Sequence, residues 1–215
     1  MNYPKTRLRR LRYNRNIRNM FEDVTVNKSD LIQPIFLVEG KNIKKEIKSL
    51  TGQFQLSIDN AIDFCKSLMN EGVNSIILFG VSSEKDDTGE ISCSSQSIVP
   101  KAIKEIKNKF GDQLLVIADV CNCSYTNHGH CGTIVENDVD NDLTLETLSK
   151  QSLTLAKAGA DVLAPSDMMD GRVQSIRNKL DSSGFEKTPI FPYSVKYASA
   201  FYGPFRDAVG SGPKK

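Results

Sequence analysis

Three cysteines and both histidines of the chain fall within eleven residues. Cys121, Cys123 and Cys131 have the spacing C-x-C-x7-C, and His128 and His130 lie in the same segment. Thiolates and imidazoles are ligands that zinc prefers. Three thiolates leave a fourth position open for water or substrate, which is typical of a catalytic site. The spacing therefore predicts a catalytic metal site on the three cysteines; the alternative is three reduced thiols packed in a loop.

Two basic residues are candidates for reacting with or binding an organic acid. Lys196 follows an apolar run, and burial there would lower the pKa of the amine and make it a nucleophile toward ketones. By position alone, it could equally be a surface cation. Arg206 could bind a carboxylate through two parallel hydrogen bonds, or form an ion pair with Asp207.

Short apolar runs alternate with helical patterns along most of the chain. Five runs predict buried strands, at residues 31–38, 75–81, 114–120, 161–166 and 189–195. Between them, apolar residues recur at helical spacing in segments 58–69, 98–110, 145–156 and 173–180. This alternation predicts an α/β fold with a parallel sheet.

Two architectures fit such a sheet, an open doubly wound sheet or a (β/α)8 barrel. The first strand is followed by Glu39 and Gly40 rather than by a glycine-rich phosphate-binding turn, so the TIM barrel is favoured. A full barrel needs about 250 residues, whereas five strands are visible here. We therefore expect an incomplete barrel of about the first five strand–helix units.

Polar side chains stand where three of these strands end. Asp119, Ser166 and Lys196 close the third, fourth and fifth strands. The carboxyl ends of barrel strands converge on one face, where active sites lie. The sequence predicts that these residues meet the cysteine segment at that face.

The first residues carry a strong positive charge. Lys5 and six arginines, with no acid, give residues 1–20 a charge of +7, while the whole chain of 215 residues is only +2. A solvated arm over residues 1–28 that docks on a neighbouring surface is favoured over a nucleic-acid site, because aromatic residues do not alternate with the basic ones. Residues 29–215 then form the partial barrel. The apolar runs are too short for a membrane span, and five cysteines without a signal sequence suggest a cytoplasmic protein.

Longer motifs make a family resemblance specific. The segments DVCNCSYTNHGHCG (119–132), AGADVLAPSDMMDGRV (158–173) and KYASAFYGPFRDA (196–208) resemble the delta-aminolevulinic acid dehydratase family, and so do residues 7–12 and 30–40. The resemblance implies a TIM-barrel lyase, porphobilinogen synthase, which condenses two molecules of 5-aminolevulinate in tetrapyrrole (heme) biosynthesis. It also implies a homo-octamer in which the arm wraps a neighbouring subunit.

The resemblance also implies roles for single residues. Lys196 matches the lysine that forms a Schiff base with substrate, and Arg206 matches an arginine that holds the substrate carboxylate. Asp119 and Ser166 match residues lining the site. The ligands of the catalytic zinc are matched by Cys121, Cys123 and Cys131. Magnesium is a further metal of the family, with no site visible in this sequence.

The end of the sequence leaves the activity open. The family continues past this point and supplies a second active-site lysine, whereas residues 209–215 carry no further strand. One expectation is therefore an enzyme to which this chain contributes the zinc and one substrate site. The alternative is a truncated, inactive, zinc-binding fragment. A different Schiff-base lyase on the same barrel is a weaker alternative, because the three-cysteine segment argues against it.

Overall fold

The computed structural model describes residues 2–211, which fall into two compact units, 2–31 and 32–211. Met1 and residues 212–215 lie outside the described residues. Most of the segment 209–215, which was expected to carry no further strand, therefore falls outside them. The first unit contains 3-10 helices at Leu8–Arg12 and Lys28–Asp30 and one α-helix, α1 (Arg15–Met20). Asn14 caps α1 by accepting a hydrogen bond from the Ile17 N–H. No residue of 2–31 is buried, so this unit has no core of its own.

The second unit alternates strands with helices. Its strands are β1 (Gln33–Leu37), β2 (Lys44–Glu46), β3 (Phe54–Leu56), β4 (Ser75–Gly80), β5 (Leu115–Val120), β6 (Thr133–Val135), β7 (Asp138–Asp140) and β8 (Val162–Pro165). Its helices are α2 (Ile58–Asn70), α3 (Ile98–Phe110), α4 (Asn141–Ala158), α5 (Arg172–Asp181) and α6 (Tyr202–Val209), with 3-10 helices at Glu90–Cys93 and Gly111–Gln113. The predicted α/β class is confirmed.

One sheet of six strands organises this unit. Its order is β2-β3-β1-β4-β5-β8, and every neighbouring pair except β2–β3 is parallel. Each of β4, β5 and β8 is added beside its predecessor in chain order, so polar residues near their carboxyl ends lie along one edge. The sheet is open across residues 2–211, and these residues do not close a barrel.

The two faces of the sheet have different partners. Alternate residues such as Ile35, Leu37, Ile76 and Leu78 are buried in a core together with apolar residues of α2, α3, α4 and α5. All four helices therefore cover one face. Within residues 2–211, no helix is both long enough and apolar enough to cross a lipid bilayer.

The opposite face carries a smaller aromatic core. The rings of Phe36 and Phe79 stack 5.5 Å apart, and Phe205 of α6 packs edge-on against Phe79 at 5.1 Å. Ala208 and Val209 are also buried there. This packing fixes α6 on the face of the sheet that the other helices leave open.

The predicted fifth strand is only partly formed. Residues 189–195 run beside β8, with hydrogen bonds from the Phe191 N–H to the Leu163 carbonyl and from the Tyr193 N–H to the Pro165 carbonyl. Only Leu163 and Ile190 form a bridge, however. The reason is that Pro165 has no N–H to donate back to this segment, which interrupts the ladder.

The sequence analysis also missed α6 and the short pairs β2–β3 and β6–β7.

A partly buried ion pair connects three of these elements. Lys107 of α3 donates to both carboxylate oxygens of Asp161, at 2.8 and 3.1 Å. The same carboxylate accepts from the Val116 N–H of β5 at 2.8 Å. Asp161 directly precedes β8, so its carboxylate joins α3, β5 and β8.

We expect Asp161→Ala to lower the free energy of unfolding by about 2 kcal/mol, because it leaves a partly buried ammonium and a backbone N–H without their acceptor. The matched control is Glu90→Ala, whose pair with Lys150 is mostly exposed and should contribute less than about 1 kcal/mol. Urea denaturation measures both values. Equal losses in the two variants would contradict this assignment.

Candidate active site

The three cysteines of the sequence motif form one cluster of sulfur atoms. Cys121 directly follows β5, and its Sγ lies 3.4 Å from the Sγ of Cys123. The sulfurs of Cys121, Cys123 and Cys131 all lie within 4.8 Å of one another. Cys121 is buried and the other two are half-buried. This separation suits a single metal ion bound by all three sulfurs, and it is the one such group of side chains found among the described residues.

The segment that carries the cysteines is held by a neighbouring loop. The Asp86 N–H donates to the Tyr125 carbonyl, and the Asn127 N–H donates to the Asp86 carbonyl. The Asp86 carboxylate in turn accepts from the backbone N–H groups of Thr88, Gly89, Glu90 and Ile91. The sequence analysis did not single out Asp86, although the run Asp-Asp-Thr-Gly over residues 86–89 is a turn signal.

Lys196 reaches the sulfur cluster from the segment beside β8. Its Nζ lies 3.7 Å from the Sγ of Cys131. Burial acts to lower the pKa of this amine, but the charges of the three cysteines outweigh burial and raise it above its ordinary value. The lowering expected from burial alone is therefore wrong, because the neighbouring cysteines act on the amine in the opposite direction.

The sulfurs share their protons unequally. Hydrogen bonds from Cys121 and Cys123 lower the pKa of the Cys131 thiol, with a further contribution from Lys196. The pKa of Cys121 is raised, because its thiol donates to the other two sulfurs and is buried. Cys131, whose pKa is lowered, is also the sulfur that contacts the Lys196 amine.

Two further residues named from the sequence lie together at the same edge. Ser166, directly after β8, donates its hydroxyl to the Oδ1 of Asp119 at 2.7 Å. Burial raises the pKa of Asp119 to about 7, against the opposing effects of Ser166 and Lys196. Asp119, Ser166 and Lys196 all line one cavity with Cys123 and Cys131.

This cavity has a volume of about 670 Å³ and lies over the aromatic face of the sheet. A volume of this size suits a small organic ligand. Arg206 lines it from α6, with its guanidinium 4.5 Å from the centre of the Tyr202 ring. Among residues 2–211, no carboxylate lies within ion-pair distance of Arg206. The alternative of an ion pair with Asp207 is therefore not realised.

The two histidines take no part in the sulfur cluster. The Nε2 of His128 lies 3.1 Å from the Asp87 carbonyl, and its Nδ1 accepts from the His130 N–H. The His128 ring and the His130 N–H thus contribute to the conformation of the loop rather than to the sulfur cluster.

Comparison with known proteins shows the family of the chain. The family model described as delta-aminolevulinic acid dehydratase matches residues 5–215. The chain belongs to this family. The enzymes of the same name from Methanothermus sociabilis and Helicobacter pylori are 47% and 48% identical to it, over 99% and 96% of the chain. A crystal structure of delta-aminolevulinic acid dehydratase (porphobilinogen synthase) from Toxoplasma gondii, in complex with its reaction product porphobilinogen, superposes with a TM-score of 0.91 at 40% identity.

The chain matches only part of each of these dehydratases. It covers 66% of the Methanothermus sociabilis protein and 64% of the Helicobacter pylori protein, and thus spans about two thirds of the length of these relatives. The structural match covers 97% of this chain and 60% of the Toxoplasma gondii chain. Activity, substrates and partners of the complete dehydratases are therefore taken up as proposals below.

One residue of the segment that carries the cysteines is poorly matched to its surroundings. Asn122 is fully buried between Cys121 and Cys123, and neither its amide oxygen nor its amide nitrogen has a partner. Its side chain fits only because Gly89 has no Cβ, which would lie 2.8 Å from the Asn122 Cβ. Burying an unpartnered amide is unfavourable.

We expect Asn122→Leu to raise the free energy of unfolding by about 1 to 3 kcal/mol, because leucine of similar size removes two unpartnered polar atoms. Urea denaturation in the presence of a chelator measures this without a contribution from bound metal.

The control is Asn127→Leu, because Asn127 is exposed and donates to Asp87. It should give no gain in stability. An Asn122→Leu variant no more stable than the original chain would contradict this interpretation.

Proposed function

We propose that this chain forms the Schiff-base and zinc part of a porphobilinogen synthase, a lyase that condenses two molecules of 5-aminolevulinate to porphobilinogen in tetrapyrrole biosynthesis. The observation that carries the proposal is the 3.7 Å contact between the Lys196 amine and the Cys131 sulfur in one cavity with Arg206. A ketone-bearing acid needs a nucleophilic amine, a partner for its carboxylate and control of protons, and this cavity offers all three.

Lys196 is assigned the covalent role. Once it has lost a proton, its amine attacks the ketone carbon of 5-aminolevulinate, a C=N bond replaces the C=O bond, and the oxygen leaves as water. The resulting iminium withdraws electrons and eases loss of an adjacent proton. Arg206, which has no acidic partner among residues 2–211, is assigned the substrate carboxylate, and the planar guanidinium would fix its orientation.

Asp119 and Ser166 are assigned to the wall of the site beside Lys196. Their short hydrogen bond fixes the carboxyl group at the cavity surface. A carboxyl group held there could accept or return a proton at the substrate carbon next to the iminium.

Zinc is the metal proposed for the cysteine cluster. Three sulfur ligands, without a carboxylate or imidazole among them, favour a soft divalent ion over magnesium. Cys121, Cys123 and Cys131 would hold the zinc, and when bound it supplies a Lewis acid beside Lys196 and offsets the charge of the thiolates. Magnesium stays a prediction from the family resemblance.

The fold and the assembly are proposed on the same basis. Parallel strands added in chain order, with α2 to α5 on one face, support an arc of a TIM barrel formed by residues 29–215. Leu8, Tyr13, Met20 and Phe21 of the basic arm 1–28 are exposed apolar residues, which supports docking of the arm on a second copy, as in the homo-octamer of the family. Thiolates that must stay reduced support a cytoplasmic location.

The Schiff base is tested by trapping. We expect 5-aminolevulinate with borohydride to leave a single reduced adduct on the peptide that contains Lys196, because hydride converts the iminium to a stable amine. Mass spectrometry of the digested chain locates the adduct. Lys196→Arg should abolish it, whereas Lys187→Arg, which changes an exposed lysine of the preceding loop, should retain it. A folded chain that acquires no adduct would refute the Schiff-base role.

The metal site is tested by removing one sulfur. We expect Cys123→Ser to weaken zinc binding by more than about 100-fold, because loss of a direct ligand exceeds the 10- to 100-fold effect typical of supporting residues. Competition with a chromophoric chelator measures the affinity. Cys93→Ser is the control, since Cys93 is a free thiol outside the cluster. Unchanged affinity in the Cys123 variant would remove this assignment.

A further inference from the structure

Arg172, the first residue of α5, binds the segment that carries Lys196. Its Nη2 donates to the Tyr193 carbonyl at 2.6 Å, three residues before Lys196. Its Nη1 donates to the Met169 carbonyl at 3.1 Å. One planar guanidinium thus joins the loop after β8 to the segment beside β8. Neither the motif that contains Arg172 (158–173) nor the proposed chemistry assigns it a role.

Among the described residues, Tyr193 is the last one before Lys196 whose backbone is held by hydrogen bonds. The Tyr193 N–H donates to the Pro165 carbonyl, and its carbonyl accepts from Arg172. In the described chain, no backbone hydrogen bond of residues 194–196 continues this attachment. The position of the Lys196 backbone therefore depends on how firmly Tyr193 is held.

Arg172 also forms an ion pair, without a hydrogen bond, with a buried acid. Its Nε lies 3.7 Å from the Oδ2 of Asp167, whose side chain is fully buried. The Oδ1 of Asp167 accepts from the Met169 N–H at 2.8 Å. Asp167 follows Ser166, which binds Asp119. The guanidinium therefore ties the Lys196 segment to the strand end that carries the Ser166–Asp119 pair.

We propose that Arg172, oriented by Asp167, is a positioning residue for Lys196: it sets the distance between the amine and the Ser166–Asp119 edge of the cavity. The inference rests on the function proposed above. It requires the fixed fork of a guanidinium, because two carbonyls in different segments must be bound at once, which a lysine ammonium does not match in geometry.

The same helix supplies a matched control. Arg177 donates to the Thr188 and Phe185 carbonyls at 2.6 and 2.8 Å and pairs with Asp181. Like Arg172, it binds two carbonyls and pairs with one aspartate, but these residues lie farther from Lys196 along the chain, and its aspartate is hydrogen-bonded at 2.7 Å. Both arginines are partly buried.

The experiment compares Arg172→Met with Arg177→Met in the full chain loaded with zinc. The readouts are the rate of borohydride-trapped adduct formation at saturating 5-aminolevulinate, the zinc affinity, and the free energy of unfolding. We expect both variants to lose stability. Only Arg172→Met should slow trapping, by roughly 10- to 100-fold, which is the cost of a misplaced reacting group. Zinc affinity should stay within about 3-fold in both, because a spread of 2- to 3-fold is ordinary variation and the sulfurs come from a different loop.

The outcomes separate this inference from the function on which it rests. No adduct in the unsubstituted chain would refute the proposed Schiff base itself. An adduct in the unsubstituted chain, together with unchanged trapping in Arg172→Met, would overturn the positioning role alone. Equal slowing in the two variants, or loss of zinc together with trapping, would also overturn it, since the effect would then be a general loss of structure. Arg172→Lys should slow trapping as much as Arg172→Met does. An unchanged trapping rate in Arg172→Lys would contradict the requirement for a guanidinium.

Discussion

The contact between the Lys196 amine and the Cys131 sulfur is the interaction on which this account depends. It joins residues 65 positions apart and brings an amine to a cluster of three thiols. Clustered sulfurs cannot all ionise without a cation, because like charges at this separation raise one another's pKa. A lysine and a metal ion are alternative sources of that positive charge, so the amine and the metal site are coupled through the same sulfurs.

The sheet explains why these groups meet. β4, β5 and β8 add in chain order, and parallel strands deliver their carboxyl ends to one edge. Asp119 comes from β5, Ser166 from the end of β8, and Lys196 from the segment beside β8. The opposite side of the cavity is built differently, because Arg206 is carried by a helix that the aromatic rings of Phe36, Phe79 and Phe205 fix on the sheet.

Much of this arrangement could be predicted from the sequence. The apolar runs of β1, β4, β5 and β8 and the periodic helices were visible, because strands and helices buried in one core have clear patterns. The approximate location of the cysteines, Asp119, Ser166 and Lys196 followed from the rule that strand ends converge. Arg206 was named from a motif, without the helix that carries it.

What the sequence could not give depends on tertiary contacts. The fifth strand is only partly formed because Pro165 has no N–H to donate to residues 189–195. This effect cannot be predicted until the segment that lies beside β8 is known. The three-residue strands of β2, β3, β6 and β7 are too short for a periodic pattern. The direction of the Lys196 pKa depends on sulfurs far away in the chain. The Asp86 carboxylate binds backbone groups of its own loop, where a turn signal is visible in the sequence, whereas nothing in the residue spacing marks the contact of Arg172 with the Tyr193 carbonyl.

The most direct test of the central claim is a crystal structure of the zinc-loaded chain with the metal located by anomalous scattering. The account predicts one strong peak bounded by the sulfurs of Cys121, Cys123 and Cys131, with the Lys196 amine facing the same cavity beside it. Zinc bound elsewhere, or a Lys196 side chain directed away from the sulfur cluster into solvent, would contradict the account.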